Sequence, residues 1–343
     1  MIELWFGLAT FTLTMFAVLD GWNIGAGIVH FLVGRTTGER REVVAAIGPS
    51  WSWHEVWLIA FGGTLLLAFP RVLAVAFSGF YLALWFLLWS FVLRGMSIEL
   101  GGHIADRMWQ RFWDFVFTAS SLLLALLLGA ALGNVLRGVP IDASGEFSMP
   151  LFTDFDVRGE VGLLDWYTIA VALYSALIVA AHGATYLRLR TGGMVHRRSA
   201  RLARRLWLAA FVLFPFFTWM TWIVRPGLYE AMRQRPTAWL AILILVSGGL
   251  AIGSGLLQRR LFRAFAGSCA VIAGLLAGSA AGVFPTMLHS TIAPSFSITA
   301  HAGATAGPGL GLALLWWPVA LALALTYGAL LARSYRGKVR EAD

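Results

Sequence analysis

The residue in this sequence most able to do chemistry is an aspartate inside an apolar run. Asp20 lies about midway between Leu4 and Val33, in the string Asp20-Gly21-Trp22-Asn23-Ile24-Gly25-Ala26-Gly27. A charged side chain near the centre of a bilayer costs about 2.5–3.5 kcal/mol on insertion scales, which makes an ionisable group there a functional candidate. The three glycines let another helix come close. The competing reading is a packed kink in which Asp20 pairs with an arginine or a backbone group. A second cluster follows in Gly48-Pro49-Ser50-Trp51-Ser52-Trp53-His54-Glu55-Val56-Trp57. A helix that begins near Pro49 and rises about 1.5 Å per residue carries His54 and Glu55 about 8 Å into it. Here the competing reading is a helix start, because Ser52 and Glu55 match the S-x-x-E capping box and Trp51, Trp53 and Trp57 suit interfacial anchors. A third cluster holds Arg94 and Glu99, then His103 and Asp106, then Arg111-Phe112-Trp113-Asp114. Charges at a helix end are ordinarily solvated or snorkelling.

What must position these groups follows from composition. The chain has 343 residues, 59% hydrophobic and only 13% charged, against about 25% charged in an ordinary soluble domain. The apolar residues fall in blocks of about 20, the length that crosses roughly 30 Å of hydrocarbon as a helix. This is the pattern of an all-α integral membrane protein and excludes a soluble enzyme. Nine spans are expected, near Leu4 to Val33, Pro49 to Pro70, Val75 to Glu99, Asp114 to Leu136, Leu163 to Leu187, Ala203 to Val224, Thr237 to Leu257, Phe262 to Phe284 and Pro308 to Ala332. The second and third form one apolar stretch about twice a membrane thickness, so it turns back on itself, and Pro70-Arg71 is the expected break in a tight helical hairpin. The acidic start Met1-Ile2-Glu3 and the length of the first apolar run argue for a membrane helix over a cleavable signal peptide. The chain reads as a single polytopic domain, with a first group of helices over about 1–137 and a second half over about 163–333, and shows no convincing internal repeat.

Lys and Arg near span ends are retained in the cytoplasm. With the N-terminus outside and the C-terminus inside, twenty of the 26 basic residues become cytoplasmic, and the longest opposite segment, Arg137 to Gly162, carries a net charge of minus three. The overall charge of +9, with Lys338 the only lysine, therefore reads as topology, and nucleic acid is not an expected partner. Cys269 is the only cysteine, which excludes an internal disulfide and a thiolate metal cluster.

In this topology Asn23, His54, Glu55, Arg94, Glu99 and Asp114 all fall in the cytoplasmic half of the first four spans, with Asp20 just above them. Titratable groups reaching from one surface towards the midplane are what a proton relay requires. His30, His182, His289 and His301 lie in or near spans but form no pair on one helix face, so packing histidines are expected rather than haem ligands. No phosphate loop, zinc signature or nucleophile elbow is present.

The whole chain resembles subunit II of cytochrome bd quinol oxidases. The matching elements are Asp20-Gly21 with Gly25 and Gly27; Trp51 with Glu55-Val56-Trp57-Leu58-Ile59 and Gly62-Gly63; Ala68-Phe69-Pro70; Ser78-Gly79-Phe80-Tyr81-Leu82-Ala83; Arg94-Gly95; and Trp113-Asp114. Gly129, Gly133-Asn134, Gly138-Val139-Pro140, Gly183-Ala184-Thr185-Tyr186-Leu187 and Phe284-Pro285 follow in order. The resemblance implies two four-helix bundles plus a peripheral ninth helix in the bacterial cytoplasmic membrane. It also implies a like-folded subunit I that carries the quinol site and haems b and d and reduces oxygen to water. This chain would bind no cofactor or metal and would serve as scaffold and cytoplasmic proton-entry route, through Asp20, His54, Glu55 and Glu99. A small accessory membrane subunit and lipid are further expected partners. The sequence departs from the family's usual Asp-Gly-Phe-Asp and Trp-Asp-Gly-Asn strings: Asn23 replaces the second aspartate, Ser52, Trp53 and His54 replace Asp-Gly-Asn, and Glu99 stands where aspartate is common. Glu55, three residues from Ser52 on a helix, is expected to have taken over the missing carboxylate's role. The rival readings are a transporter or ion-pathway protein without a haem partner, and a chain that ligates a b haem itself.

Overall fold

In lipid the backbone has only its own groups to bond to, so apolar runs of this length form helices. The computed structural model describes residues 1–307, 309–335 and 337–339. The helices are α1 (Ile2–Val33), α2 (Thr37–Ile47), α3 (Trp51–Ala68), α4 (Pro70–Gly79), α5 (Tyr81–Leu100), α6 (Arg107–Arg137), α7 (Trp166–Arg190), α8 (Gly193–Val224), α9 (Gly227–Arg233), α10 (Pro236–Leu257), α11 (Leu261–Val283), α12 (Ala300–Gly303) and α13 (Gly309–Ser334). A two-stranded antiparallel ribbon, β1 (Thr286–Leu288) with β2 (Ile298–Thr299), closes the loop after α11. Pro308, expected to open the last span, and the tail residues Arg336 and Arg340 lie outside the described residues.

Among the described residues, eight single helices are long and apolar enough to cross a membrane, and α3 with α4 supplies a ninth only if that pair, bent by 119°, is one span. The break expected at Pro70 is found there, but the hairpin is not tight. Phe69 ends α3, the chain bends by 119°, and Pro70 opens a separate ten-residue helix before α5. Proline suits a first helical position, where its missing N–H has no partner to lose. The next long helix accordingly begins at Tyr81 and not at Val75.

α1 is the centre of the packing and touches α3, α6, α7 and α11. Its closest approach is to α7. A Cβ on Gly25 would stand 2.0 Å from the Val179 carbonyl oxygen, and one on Gly183 would stand 2.2 Å from the Gly25 carbonyl carbon, so the two backbones touch and only glycine fits at both positions. At the end of the molecule opposite α2, Arg137 closes the joint between α6 and α7. It bonds the Asp165 carboxylate, the Asn134 Oδ1 at 2.7 Å and the Gly162 carbonyl at 3.1 Å, all buried. Asp165 in turn caps α7, accepting from the Tyr167 and Thr168 amides at 2.7 and 2.8 Å. Nothing in the spacing singled out this pair. α13 rests on α3 and leaves most of its length exposed.

Candidate functional site

Three helices contribute one charged group each to a site near the middle of the chain's first half. Asp20 comes from α1, Glu55 from the first turns of α3 and Arg94 from α5. The guanidinium reaches both oxygens of Asp20, with Nη1 donating to Oδ1 at 3.0 Å and Nη2 to Oδ2 at 2.8 Å. Nη2 also donates to Glu55 Oε1 at 2.5 Å. The side chains of Arg94 and Asp20 are fully buried, whereas that of Glu55 is 25% exposed. A bidentate guanidinium–carboxylate pair is the geometry in which a buried charge is best compensated. The pairing of Asp20 with an arginine, the competing reading of that residue, is therefore what the fold builds, and the arginine also holds Glu55.

Asn23 and His54 extend the cluster. The Asn23 amide lies one turn from Asp20, and Nδ2 donates to Asp20 Oδ1 at 3.0 Å and lies 2.7 Å from His54 Nδ1. Since Asp20 is an acceptor, the amide's two N–H groups bridge two acceptors, which places the His54 proton on Nε2. His54 is buried against the indole of Trp22, with ring centroids 4.8 Å apart. Among the described residues, the Asn23 Oδ1 and the Arg94 Nε have no protein partner, and buried polar atoms of that kind are ordinarily satisfied by water.

The capping box that was the competing reading of Ser52 and Glu55 is not formed. The helix starts at Trp51 with Ser50 as its cap residue and no side-chain cap bond, so Ser52 already lies inside the first turn and Glu55 is free to face Arg94. Ser52 itself is exposed. Trp51 lies across Gly95 of α5, and its indole N–H donates to Glu99 Oε1 at 3.3 Å, so Glu99 stands at the outer edge of the cluster, one turn beyond Gly95. Trp57 is buried with its ring edge-on to Phe11. Asp114 is not part of this group. It joins His30 Nε2 at 2.9 Å and Arg40 Nε at 2.6 Å in a separate cluster between α1, α2 and α6. The sequence reading missed Arg40 and left His30 as packing; the only available signal was that His30 falls on the same face of α1 as Asp20 and Asn23.

The buried histidines test whether this chain offers a haem ligand. His182 is hydrogen-bonded on both nitrogens, Nδ1 at 2.7 Å from Ser268 Oγ and Nε2 at 3.0 Å from the Val18 carbonyl. His30 spends Nε2 on Asp114 and His54 spends Nδ1 on Asn23. An axial ligand needs an uncommitted nitrogen; His182 has none, whereas His30 keeps Nδ1 without a protein partner among the described residues.

Chemically, the cluster holds two carboxylates and one guanidinium. With all three ionised it carries one net negative charge, and it becomes neutral when Glu55 takes a proton.

Comparison with known proteins agrees with this architecture. The family model described as cytochrome bd terminal oxidase subunit II matches residues 1–335. A relative from Escherichia coli, cytochrome bd-I ubiquinol oxidase subunit 2, is 35% identical over 213 residues, 62% of this chain and 54% of the relative. The chain thus aligns to about half the length of that relative. The Haemophilus influenzae protein described as probable cytochrome oxidase subunit 2 is 26% identical over an alignment of 349 residues that takes in 94% of this chain and 91% of the relative. A solved structure of the bd oxidase from Geobacillus thermodenitrificans superposes with a TM-score of 0.71 at 12% identity, covering 98% of both chains, and so shares the fold. With its family model matched over nearly its whole length and its fold shared with a solved oxidase chain, this protein belongs to the cytochrome bd terminal oxidase subunit II family.

Proposed function

We propose that the chain is the haem-free subunit of a bd-type membrane quinol:oxygen oxidoreductase, and that it feeds protons from the cytoplasm towards a partner subunit that carries the haems and oxidises quinol. In this reading the chain crosses the bacterial inner membrane nine times, with α3 and α4 together as one bent span, the N-terminus outside and the C-terminus inside. Its two halves, about 1–137 and 163–333, meet where α1 and α6 pack on α7. Oxygen reduction to water consumes one proton per electron, and this chain's contribution is the path that supplies them.

The observation that carries the proposal is the asymmetry of the two carboxylates around Arg94. Asp20 is fully buried and held by three donors, while Glu55 is held by one and is a quarter exposed. Glu55 is therefore the carboxylate able to exchange a proton at the outer edge near Glu99 and Trp51. The Asn23 amide joins His54 to Asp20, so both belong to the same hydrogen-bonded cluster. A transported cation would need oxygen ligands free of other partners, and both oxygens of Asp20 are already engaged, which favours the proton-supplying reading over a transporter.

The test is Glu55→Gln in the complex purified with its partner. Glutamine keeps an acceptor for Arg94 and removes the exchangeable proton. We expect unchanged haem content per complex and quinol-driven oxygen consumption slowed about tenfold or more, within the range for losing a positioned proton-transfer group. Wild-type turnover between pH 6 and 8 would refute the role of Glu55.

A further inference from the structure

The face of α1 that holds Asp20 continues beyond the cluster. Asp20, Asn23, Gly27 and His30 follow at spacings of three, four and three residues, which puts them on one side of the helix, and all four are buried. Three polar atoms along this face have no protein partner among the described residues: Asn23 Oδ1, His30 Nδ1 and the hydroxyl of Ser121 on α6. Ser121 belongs to the same line because it stands where a side chain at position 27 would be. A Cβ on Gly27 would lie 2.0 Å from Ser121 Oγ. Glycine therefore gives up the position on α1, and the neighbouring helix supplies a hydroxyl there. Asn23 and His30 are seven residues apart, about 10 Å along the axis, and Ser121 divides that gap.

The far end of the line opens. His30 Nε2 is 2.9 Å from Asp114 Oδ1, and Asp114 borders a cavity of about 220 Å³ lined by Thr37, Arg40, Arg41, Gln110 and Phe117 among others. Arg40 fixes the carboxylate from the other side, with Nε at 2.6 Å from Oδ2, and is itself held by the Arg35 carbonyl and the Thr37 hydroxyl. This mouth lies between α2, α5 and α6, with Ser97 and Ile98 of α5 on its wall, whereas Glu55 opens between α3 and α5. Orphaned polar atoms on a buried seam are unfavourable unless water or a moving proton uses them.

We propose that α1 carries a second proton route, running from the Asp114 carboxylate through His30, the Ser121 hydroxyl and water accepted by the Asn23 amide oxygen to Asp20. It rests on the reading of the chain as a proton-supplying subunit and adds a path that does not pass Glu55. One proton enters at Asp114 from the cavity and passes to His30 Nε2, one leaves His30 Nδ1 to the Ser121 hydroxyl as the hydroxyl gives its own proton to water on Asn23 Oδ1, and that water protonates Asp20. The ring returns to its starting tautomer between turnovers, so the number of protons on the seam is conserved. Both routes converge at Asp20 and Arg94.

Ser121→Ala tests this because it deletes an orphaned hydroxyl and nothing else that packs. Neighbouring Ser120, whose hydroxyl is satisfied by the Val116 carbonyl at 2.6 Å, provides the control substitution Ser120→Ala. Oxygen consumption, its solvent deuterium isotope effect, haem content and melting temperature are read in the purified complex for Ser121→Ala, Glu55→Gln and the double variant. We expect Ser121→Ala alone to slow turnover about threefold, and the double variant to fall at least about tenfold below Glu55→Gln with a larger isotope effect, since proton delivery becomes limiting. Haem content and melting temperature stay at wild-type values throughout, and Ser120→Ala is silent. A double variant no slower than Glu55→Gln overturns the second route. If Glu55→Gln itself proves silent, the first route fails on its own, and the second is then read directly from Ser121→Ala: a loss of about tenfold supports it as the sole path, and wild-type turnover overturns it.

Discussion

Removing the arginine should be far more damaging than removing either of its acidic partners. In Arg94→Met, Asp20 loses two of its three donors and its countercharge while remaining fully buried, and only the Asn23 amide is left to it. Glu55, a quarter exposed, can turn towards the surface, so the penalty falls mainly on Asp20. Stripping one member from a buried pair costs about 3–5 kcal/mol, a large share of the roughly 5–15 kcal/mol that holds a typical protein together. At about 1.4 kcal/mol per decade, that is a shift of roughly 100- to 3,000-fold in the folded-to-unfolded ratio. Replacing both partners is much milder, because no uncompensated charge remains. The Asp20→Asn, Arg94→Met double variant should therefore regain more than half of the stability that Arg94→Met loses. Glu55→Gln leaves the Arg94–Asp20 pair intact and should change stability by less than about 1 kcal/mol. The assay is the yield of haem-loaded complex per milligram of membrane protein, with the melting temperature of what is recovered. Wild-type yield and melting temperature in Arg94→Met, or a double variant no better than the single, would refute the reasoning.

Other outcomes follow from the same geometry. Gly183→Ala or Gly25→Ala should abolish assembly, because a methyl at either position meets backbone atoms near 2 Å; a stable complex carrying either substitution would mean that α1 and α7 do not touch backbone to backbone. Asn23→Asp replaces a donor to two acceptors with a carboxylate facing Asp20, and should lower stability by about 1–3 kcal/mol, read as a lower melting temperature at pH 7 and partial recovery at acid pH as one carboxyl protonates. In the loop after β1, burial and the nearby Arg225 hold His289 down to about 4. Unfolded, this histidine titrates near 6.5, so between the two values the unfolded chain binds the extra proton and stability falls as pH drops from about 6.5 towards 4. Melting temperature measured from pH 4 to 7 should therefore decline less steeply in His289→Gln than in the wild type.

Much of this molecule is written in one-dimensional patterns, and the rest depends on contacts between distant segments. Long apolar runs announced the helices, and the rarity of charge within them drew attention to Asp20, Glu55 and Arg94 in advance. Their union could not be read, since residues 20, 55 and 94 meet only after three helices pack, with the arginine as the common partner. The capping box at Ser52 stayed open as an alternative because a four-residue motif specifies a cap only if its first residue is the cap, and here the cap residue is Ser50 and the helix begins at Trp51. The bend at Pro70 was legible because proline marks a boundary, but the ten-residue helix after it was not, since that depends on the packing of Val72 and Val75 in the cluster that also holds Trp5 and Met287. Arg137 and Asp165 were invisible because each sits where a solvated charge at a helix end would be expected, and burial comes from the loop folded over them.

The crowding of α1 has a consequence for how its sequence can change length. Between Asp20 and His30 one side of the helix holds the ionisable line, while another is pressed backbone-to-backbone on α7 at Gly25. An inserted or deleted residue anywhere in this decade turns everything beyond it by about 100°, which would swing the Gly25 contact or the His30 end of the line out of place, and no bulge has room to absorb the shift. Substitutions here can be compensated one at a time, as the facing Asn23 and His54 suggest, but a change of length cannot. The segment from Asp142 to Glu160, exposed over much of its course and free of helix, is where residues can be gained or lost, and where a tag or a reporter domain should be placed if the complex is to assemble around it.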